Sequence, residues 1–199
     1  MIYLLSDWGD SVAEKRCCFI GHRTIALTDE LVTNIKNIIC RLIVDEGVKY
    51  FLFGSRSEFD DLCHRIVTDY QEEYPHIVRV AYTRRSEYAV KKEEKEKIER
   101  SWSAVLKTNV KLKDYDAEVQ SDRVYSAGKA SYVERNQEMI DASDFCIFYY
   151  NEAYEPPQRK RANRDLTTYQ PKSGTRIAYE YAVQKNKNVV NMFVCSETD

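Results

Sequence analysis

The sequence predicts an α/β fold, a three-layer sandwich built on a mainly parallel five-stranded sheet. Short apolar runs alternate along the chain with amphipathic stretches long enough to form helices of about ten residues or more. The 199 residues, 43% of them hydrophobic and 31% charged, are enough for one sizeable core. Right-handed helical crossovers between parallel strands satisfy this pattern, and we expect the strand order 3-2-1-4-5.

The first two strand and helix pairs are the clearest. "RCCFIGHR" (16–23) is typical of a strand buried on both faces, and the helix after it has Thr28 as N-cap and ends at Gly47. "KYFLFGS" (49–55) repeats the strand pattern. Apolar residues in "EFDDLCHRIVTDYQEEYP" recur at helical spacing until Pro75.

The remaining elements follow the same alternation. We expect strand three at 76–83, strand four at 144–150, a helix at about 175–185 and strand five at 188–194. The stretch from Ser131 to Tyr150, "SYVERNQEMIDASDFCIFYY", carries a charged helix directly into strand four.

The chain divides into a short beginning and one domain. We interpret residues 1–15 as an N-terminal extension or edge element and 16–199 as a single domain. Residues from about 86 to 130 are dominated by interspersed Glu and Lys, which predicts a charged helical insertion.

Composition limits the classes of function and the cellular location. A net charge of -2 gives no overall basic field that would attract nucleic acid. Six cysteines without a C-x-x-C pair, together with the lack of a signal peptide or an apolar run of membrane-spanning length, indicate the cytoplasm and no membrane association. His64 and His76 fall on different elements, so no metal site is predicted. No cofactor is predicted either.

Ligands of such sheets bind beyond the carboxyl ends of the strands, where the strand order reverses. The predicted crevice lies between strands one and four. Gly21, His22 and Arg23 follow strand one directly and are candidates for contact with a base or phosphate. The alternative is an exposed polar strand end without a ligand.

Two helix beginnings are candidate phosphate sites. "FGSRSEFDD" follows strand two, and "PKSGTRIAYEYA" opens the last helix; both offer hydroxyl groups and free backbone N–H groups. Ordinary helix capping is the alternative for each. Together they would suit a ligand with phosphate at one end and a ribose or base at the other. The candidate residues are Gly54, Ser55, Arg56, Ser57 and Asp60 in the first, and Ser173, Gly174 and Thr175 in the second.

The motifs "CFIGHR", "FLFGSRSEFD", "SYVERNQEMIDASDFCIFYY" and "SGTRIAYEYA", in this order and spacing, resemble the YpsA-like branch of the SLOG superfamily over about residues 16–195. The resemblance implies a Rossmann-like nucleotide-binding fold. LOG phosphoribohydrolases, which release a base from a nucleoside 5′-monophosphate, and the DNA-processing protein DprA are more distant members of the superfamily.

Similarity to the LOG enzymes implies two catalytic candidates. Their layout of an Arg, a Met four residues later, a Ser-Asp pair and a Gly-Thr turn matches Arg135, Met139, Ser143-Asp144 and Gly174-Thr175. Arg135 would then bind phosphate or ribose; a surface pair with Glu134 is the alternative. The catalytic Glu of those enzymes corresponds to Ala178, and the nearest acid, Glu180, lies on a different helix face.

The sequence therefore predicts binding of a nucleotide or nucleotide-derived small molecule, in a sensor or regulator. Two alternatives stay open. One is a LOG-like phosphoribohydrolase, an N-glycoside hydrolase using Arg135 and Glu180. The other, less favoured, is a nucleic-acid-binding module that uses the basic loop 156–165 and tyrosines that include Tyr154. A homodimer is an option for its assembly.

Overall fold

The computed structural model describes six stretches of the chain, which together contain seven strands and four helices. The stretches are residues 3–4, 14–54, 57–84, 114–121, 129–155 and 172–193. The strands are β1 (Tyr3–Leu4), β2 (Lys15–Gly21), β3 (Val48–Phe53), β4 (Val78–Arg84), β5 (Ala117–Ser121), β6 (Phe145–Tyr149) and β7 (Asn188–Asn191). The helices are α1 (Asp29–Val44), α2 (Glu58–Glu73), α3 (Lys129–Asp141) and α4 (Gly174–Gln184).

All seven strands form one parallel sheet in the order β1-β5-β4-β3-β2-β6-β7. The five strands predicted from the sequence are β2, β3, β4, β6 and β7. Their order in the sheet is β4-β3-β2-β6-β7, which confirms the predicted order 3-2-1-4-5 and the α/β class. The predicted number of strands was wrong, because β5 and β1 extend the sheet beyond β4.

The two additional strands have weak sequence signals. β5 has the sequence AEVQS, in which only Ala117 and Val119 are apolar, and it lies inside the segment 86–130 that we predicted as a charged helical insertion. β1 has two residues, too few to show a strand period, and pairs with the start of β5 at the edge of the sheet. Residues 85–113 and 122–128 lie outside the described part of the chain.

Helices cover both faces of the sheet, so the predicted three layers are present. Successive residues of β2 point to opposite faces, as the strand period requires. Cys17 and Phe19 belong to the core beneath α1 and α2, whereas Cys18 and Ile20 belong to the core beneath α3 and α4. The five cysteines in the described residues carry free thiols, and all of them except Cys40 are buried.

Side-chain caps set the helix starts. The Thr28 hydroxyl accepts a hydrogen bond from Leu31 N–H at 3.1 Å, which confirms the predicted N-cap of α1. Ser57 and Ser173 cap α2 and α4 in the same way. Gly47 follows α1 with φ of 68°, a conformation that favours glycine. Within the described residues, no helix is both long enough and apolar enough to cross a membrane.

Candidate functional site

The strand order reverses between β2 and β6. From β2 the sheet extends through β3 and β4 on one side, whereas β6 and β7 lie on the other. Open parallel sheets bind their ligands outside the carboxyl ends of the strands at such a point. We call the carboxyl ends of β2, β3 and β6, with the loops that leave them, the switch-point edge.

Arg135 of α3 lies at this edge, against the residue that follows β3. Gly54 directly follows β3, and a Cβ built on it would lie 2.9 Å from Arg135 Nε and 3.0 Å from Met139 Sδ. Glycine is therefore the residue that lets the guanidinium pack directly against the end of the strand. Arg135 Nη2 donates a hydrogen bond to Asn136 Oδ1 at 3.1 Å, and Arg135 Cζ lies 5.3 Å from the centre of the Tyr132 ring.

Burial of Arg135 excludes one interpretation made from the sequence. Only 3% of Arg135 is exposed, so the alternative interpretation of this arginine, a solvated surface pair with Glu134, was wrong. A guanidinium stays charged at any physiological pH. The structure thus places a permanent positive charge, largely shielded from water, beside Gly54, the first residue of the "GSRSEFD" segment. Ser55 and Arg56 of that loop lie outside the described residues.

His22 connects the loops that leave β2 and β6. Its Nε2 accepts a hydrogen bond from Asn151 N–H at 3.1 Å, and its backbone N–H donates to the Tyr149 carbonyl at 3.3 Å. The ring is buried, and burial lowers the pKa of His22, which favours the neutral form. Since Nε2 is an acceptor, the neutral ring carries its proton on Nδ1. His22 therefore holds two loops together at the switch-point edge.

Gly21 is required for packing. A Cβ at this position would lie 2.5 Å from Phe59 Cβ, so the glycine lets the first turn of α2 pack against the end of β2. Its carbonyl accepts a hydrogen bond from Thr175 Oγ1 at 3.1 Å, and Thr175 is buried. Both residues stand at the predicted crevice, where they join β2 to α4.

The start of α2 is a poorer anion site than the sequence suggested. Ser57 Oγ accepts from Asp60 N–H at 3.1 Å, and Glu58 N–H donates to the Arg23 carbonyl at 3.0 Å. A further bond from Ile25 N–H to Glu58 Oε2 ties the loop after β2 to this turn. The protein itself thus uses these donors, and the carboxylates of the first turn oppose a bound phosphate: Glu58, Asp60 and Asp61.

The start of α4 has the opposite charge pattern. Its first turn contains Arg176 and no acidic residue, and Lys172 precedes the helix. The N-cap Ser173 Oγ accepts from Arg176 N–H at 3.1 Å. Among the described residues, no atom lies within 4 Å of a Cβ built on Gly174, so none of them blocks the approach of a ligand to the backbone there. Of the two helix starts, α4 is therefore better suited to a phosphate.

Glu180, the alternative catalytic acid, is bound to two cations. Lys172 Nζ lies 2.7 Å from Oε2, and Arg176 Nε lies 2.9 Å from Oε1. Hydrogen bonds from Lys172 and Arg176 hold the pKa of Glu180 below its usual range. About two-fifths of the side chain is exposed. Both carboxylate oxygens are thus engaged on the surface of α4.

The structure adds residues that the sequence analysis did not select. Tyr132 and Asn136 contact Arg135. The spacing of three residues between Tyr132 and Arg135 on one helix was the available signal for the first contact, whereas adjacent helical residues such as Arg135 and Asn136 are not expected to face each other. Glu118 of β5 is buried, although β5 itself was not predicted. Among the described residues, no three His, Cys, Asp or Glu side chains are grouped as ligands of a metal ion.

No model of a known protein family matches the chain, and no curated protein matches its sequence. The similarity to the YpsA-like branch of the SLOG superfamily therefore stays a prediction. Chemically, the switch-point edge combines a buried guanidinium with a cationic helix start, which suits an anionic ligand.

Proposed function

We propose that this protein binds a nucleotide or a nucleotide-derived small molecule at the switch-point edge, in the role of a sensor or regulator. Membership of the YpsA-like branch of the SLOG superfamily is part of this proposal. Its residues are drawn from β2, β3, α3 and α4, which the fold brings to one edge of the sheet.

The burial of Arg135 against Gly54 supports the proposal most directly. Arg135 is buried beside Gly54 at this edge, and a guanidinium that is largely shielded from water attracts an anion more strongly than one surrounded by solvent. Guanidinium groups bind phosphate with two parallel hydrogen bonds and are therefore well suited to nucleotides.

The start of α4 supplies a second place for phosphate. The backbone N–H groups of Gly174 and Thr175, in the first turn, have no partner within the helix, and the helix dipole favours negative charge there. Thr175 is fixed by its bond to the Gly21 carbonyl, so this turn is held close to the end of β2. A ligand with more than one phosphate would use both places.

The described cysteines fit a reducing compartment. Their thiols are free, and free thiols persist in the cytoplasm, where we place the protein. Assembly as a homodimer belongs to the proposal too, and size-exclusion chromatography with light scattering tests it independently of the ligand.

Mass spectrometry of small molecules released from the purified protein tests the binding proposal. We expect a compound that contains a nucleotide, and calorimetry with that compound should then show that Arg135→Gln weakens binding by about tenfold or more. Arg135→Lys, which keeps the charge, should weaken it less. Arg41→Gln changes an exposed arginine of α1 and is the matched control.

Two results would reject the proposal. One is a released ligand without a nucleotide portion, combined with no calorimetric binding of nucleoside phosphates. The other is an Arg135→Gln variant with native circular dichroism and unchanged affinity.

A further inference from the structure

The loop after β6 holds an aromatic side chain above the switch-point edge. Asn151 organises the loop: its Oδ1 accepts from Ala153 N–H at 2.9 Å, and its carbonyl accepts from Tyr154 N–H at 3.1 Å. The Tyr154 ring lies on the imidazole of His22, with 4.3 Å between ring centres and 38° between planes. Because His22 is itself bonded to Asn151, the position of Tyr154 is set from two sides.

Tyr154 nevertheless remains 40% exposed. Within the described residues, the large apolar side chains that stay exposed are Leu27, Val44, Tyr154 and Val183, and Tyr154 is the aromatic one. Leu27 lies in the loop that leaves β2, so two of the four follow strands that meet at the switch point. An exposed ring that the protein already holds in place loses little entropy when a second ring stacks on it.

The ring of Tyr154 belongs to an aromatic group that reaches α4. His22 lies 6.1 Å from Tyr150, and Tyr150 lies 4.7 Å from Tyr179 of α4, measured between ring centres. In the first turn of that helix, Thr175 donates to the carbonyl of Gly21, the residue before His22. The exposed ring and the cationic helix start are thus connected through buried and half-buried side chains that pack between them.

We propose that Tyr154 is the stacking platform for the base of the bound nucleotide. The inference rests on the proposed function and adds to it which part of the ligand this loop recognises. Every base has a π-face, but the larger purine rings stack more strongly than pyrimidines. In this arrangement the ring of Tyr154 contacts the base, and the phosphate binds to Arg135 and the start of α4.

The test compares three probes by calorimetry: AMP, UMP and ribose 5-phosphate, which lacks a base. We expect AMP to bind wild-type protein about tenfold more tightly than ribose 5-phosphate, with UMP between them. Tyr154→Leu should remove most of the advantage of AMP and change ribose 5-phosphate affinity less than about twofold. Tyr154→Phe keeps the ring and should retain the advantage.

Tyr74→Leu is the matched control, because Tyr74 follows α2 at the opposite edge of the sheet, before β4. It should leave all three affinities unchanged. Equal binding of AMP and ribose 5-phosphate, or an AMP advantage that survives in Tyr154→Leu, would overturn the stacking inference and leave the phosphate site standing. Failure of all three probes to bind would overturn the nucleotide function together with the inference.

Discussion

Arg135 and Gly54 are in direct contact across the boundary between α3 and the sheet. A Cβ on Gly54 would lie 2.9 Å from Nε and 3.3 Å from Cζ of the guanidinium. The absence of a side chain at the end of β3 therefore decides where the buried charge of α3 lies. Two segments that lie far apart in the sequence meet in this contact.

Gly54→Ala should displace Arg135. The added methyl group overlaps the guanidinium and Met139 Sδ, and overpacking of this kind costs about 1–3 kcal/mol. We expect a lower free energy of unfolding in urea and weaker nucleotide binding. Gly174→Ala is the control for stability, since no atom of the described part of the chain lies within 4 Å of the added Cβ there. Equal stability of the two variants would show that Gly54 is not required for the packing of Arg135.

Thr175→Val should weaken the junction between α4 and β2. Valine keeps the shape but leaves the Gly21 carbonyl without its hydrogen bond from Oγ1, at a cost of about 1–2 kcal/mol. Thr175→Ser keeps the hydroxyl, so its free energy of unfolding should fall less than that of Thr175→Val. Urea denaturation of the three proteins measures the difference, and a valine variant as stable as wild type would contradict the assigned bond.

Stability should fall as the pH drops from about 6.5 towards 4. Burial and nearby Arg79 lower the pKa of His64 to about 4, and its Nε2 lies 3.2 Å from the Asp114 carbonyl. His64 binds a proton more tightly in the unfolded chain than in the folded protein. Its contribution to the free energy of unfolding is therefore complete above pH 6.5 and is lost progressively below it. At most it amounts to about 3 kcal/mol.

Urea denaturation across this pH range, with two variants, isolates the contribution of His64. His64→Gln retains a donor for the Asp114 carbonyl but does not titrate, so its free energy of unfolding should change less with pH than that of wild type. His76→Gln replaces an exposed histidine and should follow the wild-type curve. Parallel curves for wild type and His64→Gln would refute the role of His64.

Glu180→Gln should not weaken nucleotide binding. Neutralising Glu180 releases Lys172 and Arg176 from their ion pairs, and we expect a phosphate at the start of α4 to bind a few-fold more tightly, less so at high salt. Chromatography of nucleoside monophosphates incubated with each protein should detect no free base. Base accumulating over many turnovers with wild type, and lost in the variant, would favour the phosphoribohydrolase alternative instead.

Much of the fold was predictable because apolar patterns and capping residues within each segment of the sequence determine its secondary structure. The apolar run of β2 and the helical spacing of Leu31, Ile35 and Ile39 in α1 determine secondary structure locally, and Thr28 and Ser57 mark helix starts through their side-chain chemistry. Handedness and the compact alternation of elements then restrict the strand order. β5 could not be predicted from local pattern, because its pairing with β4, and not an apolar pattern of its own, makes it a strand.

The candidate site was only partly predictable. By itself the sequence determined which segments end at the switch-point edge, including Gly54, His22 and Thr175, because parallel strands present their carboxyl ends together. Only the tertiary structure decided what those residues do there: Arg135 is buried against Gly54, His22 is bonded to Asn151, and Glu180 is paired with two cations. These outcomes depend on distances between residues far apart in the chain, and such distances follow from the packing of helices on the sheet.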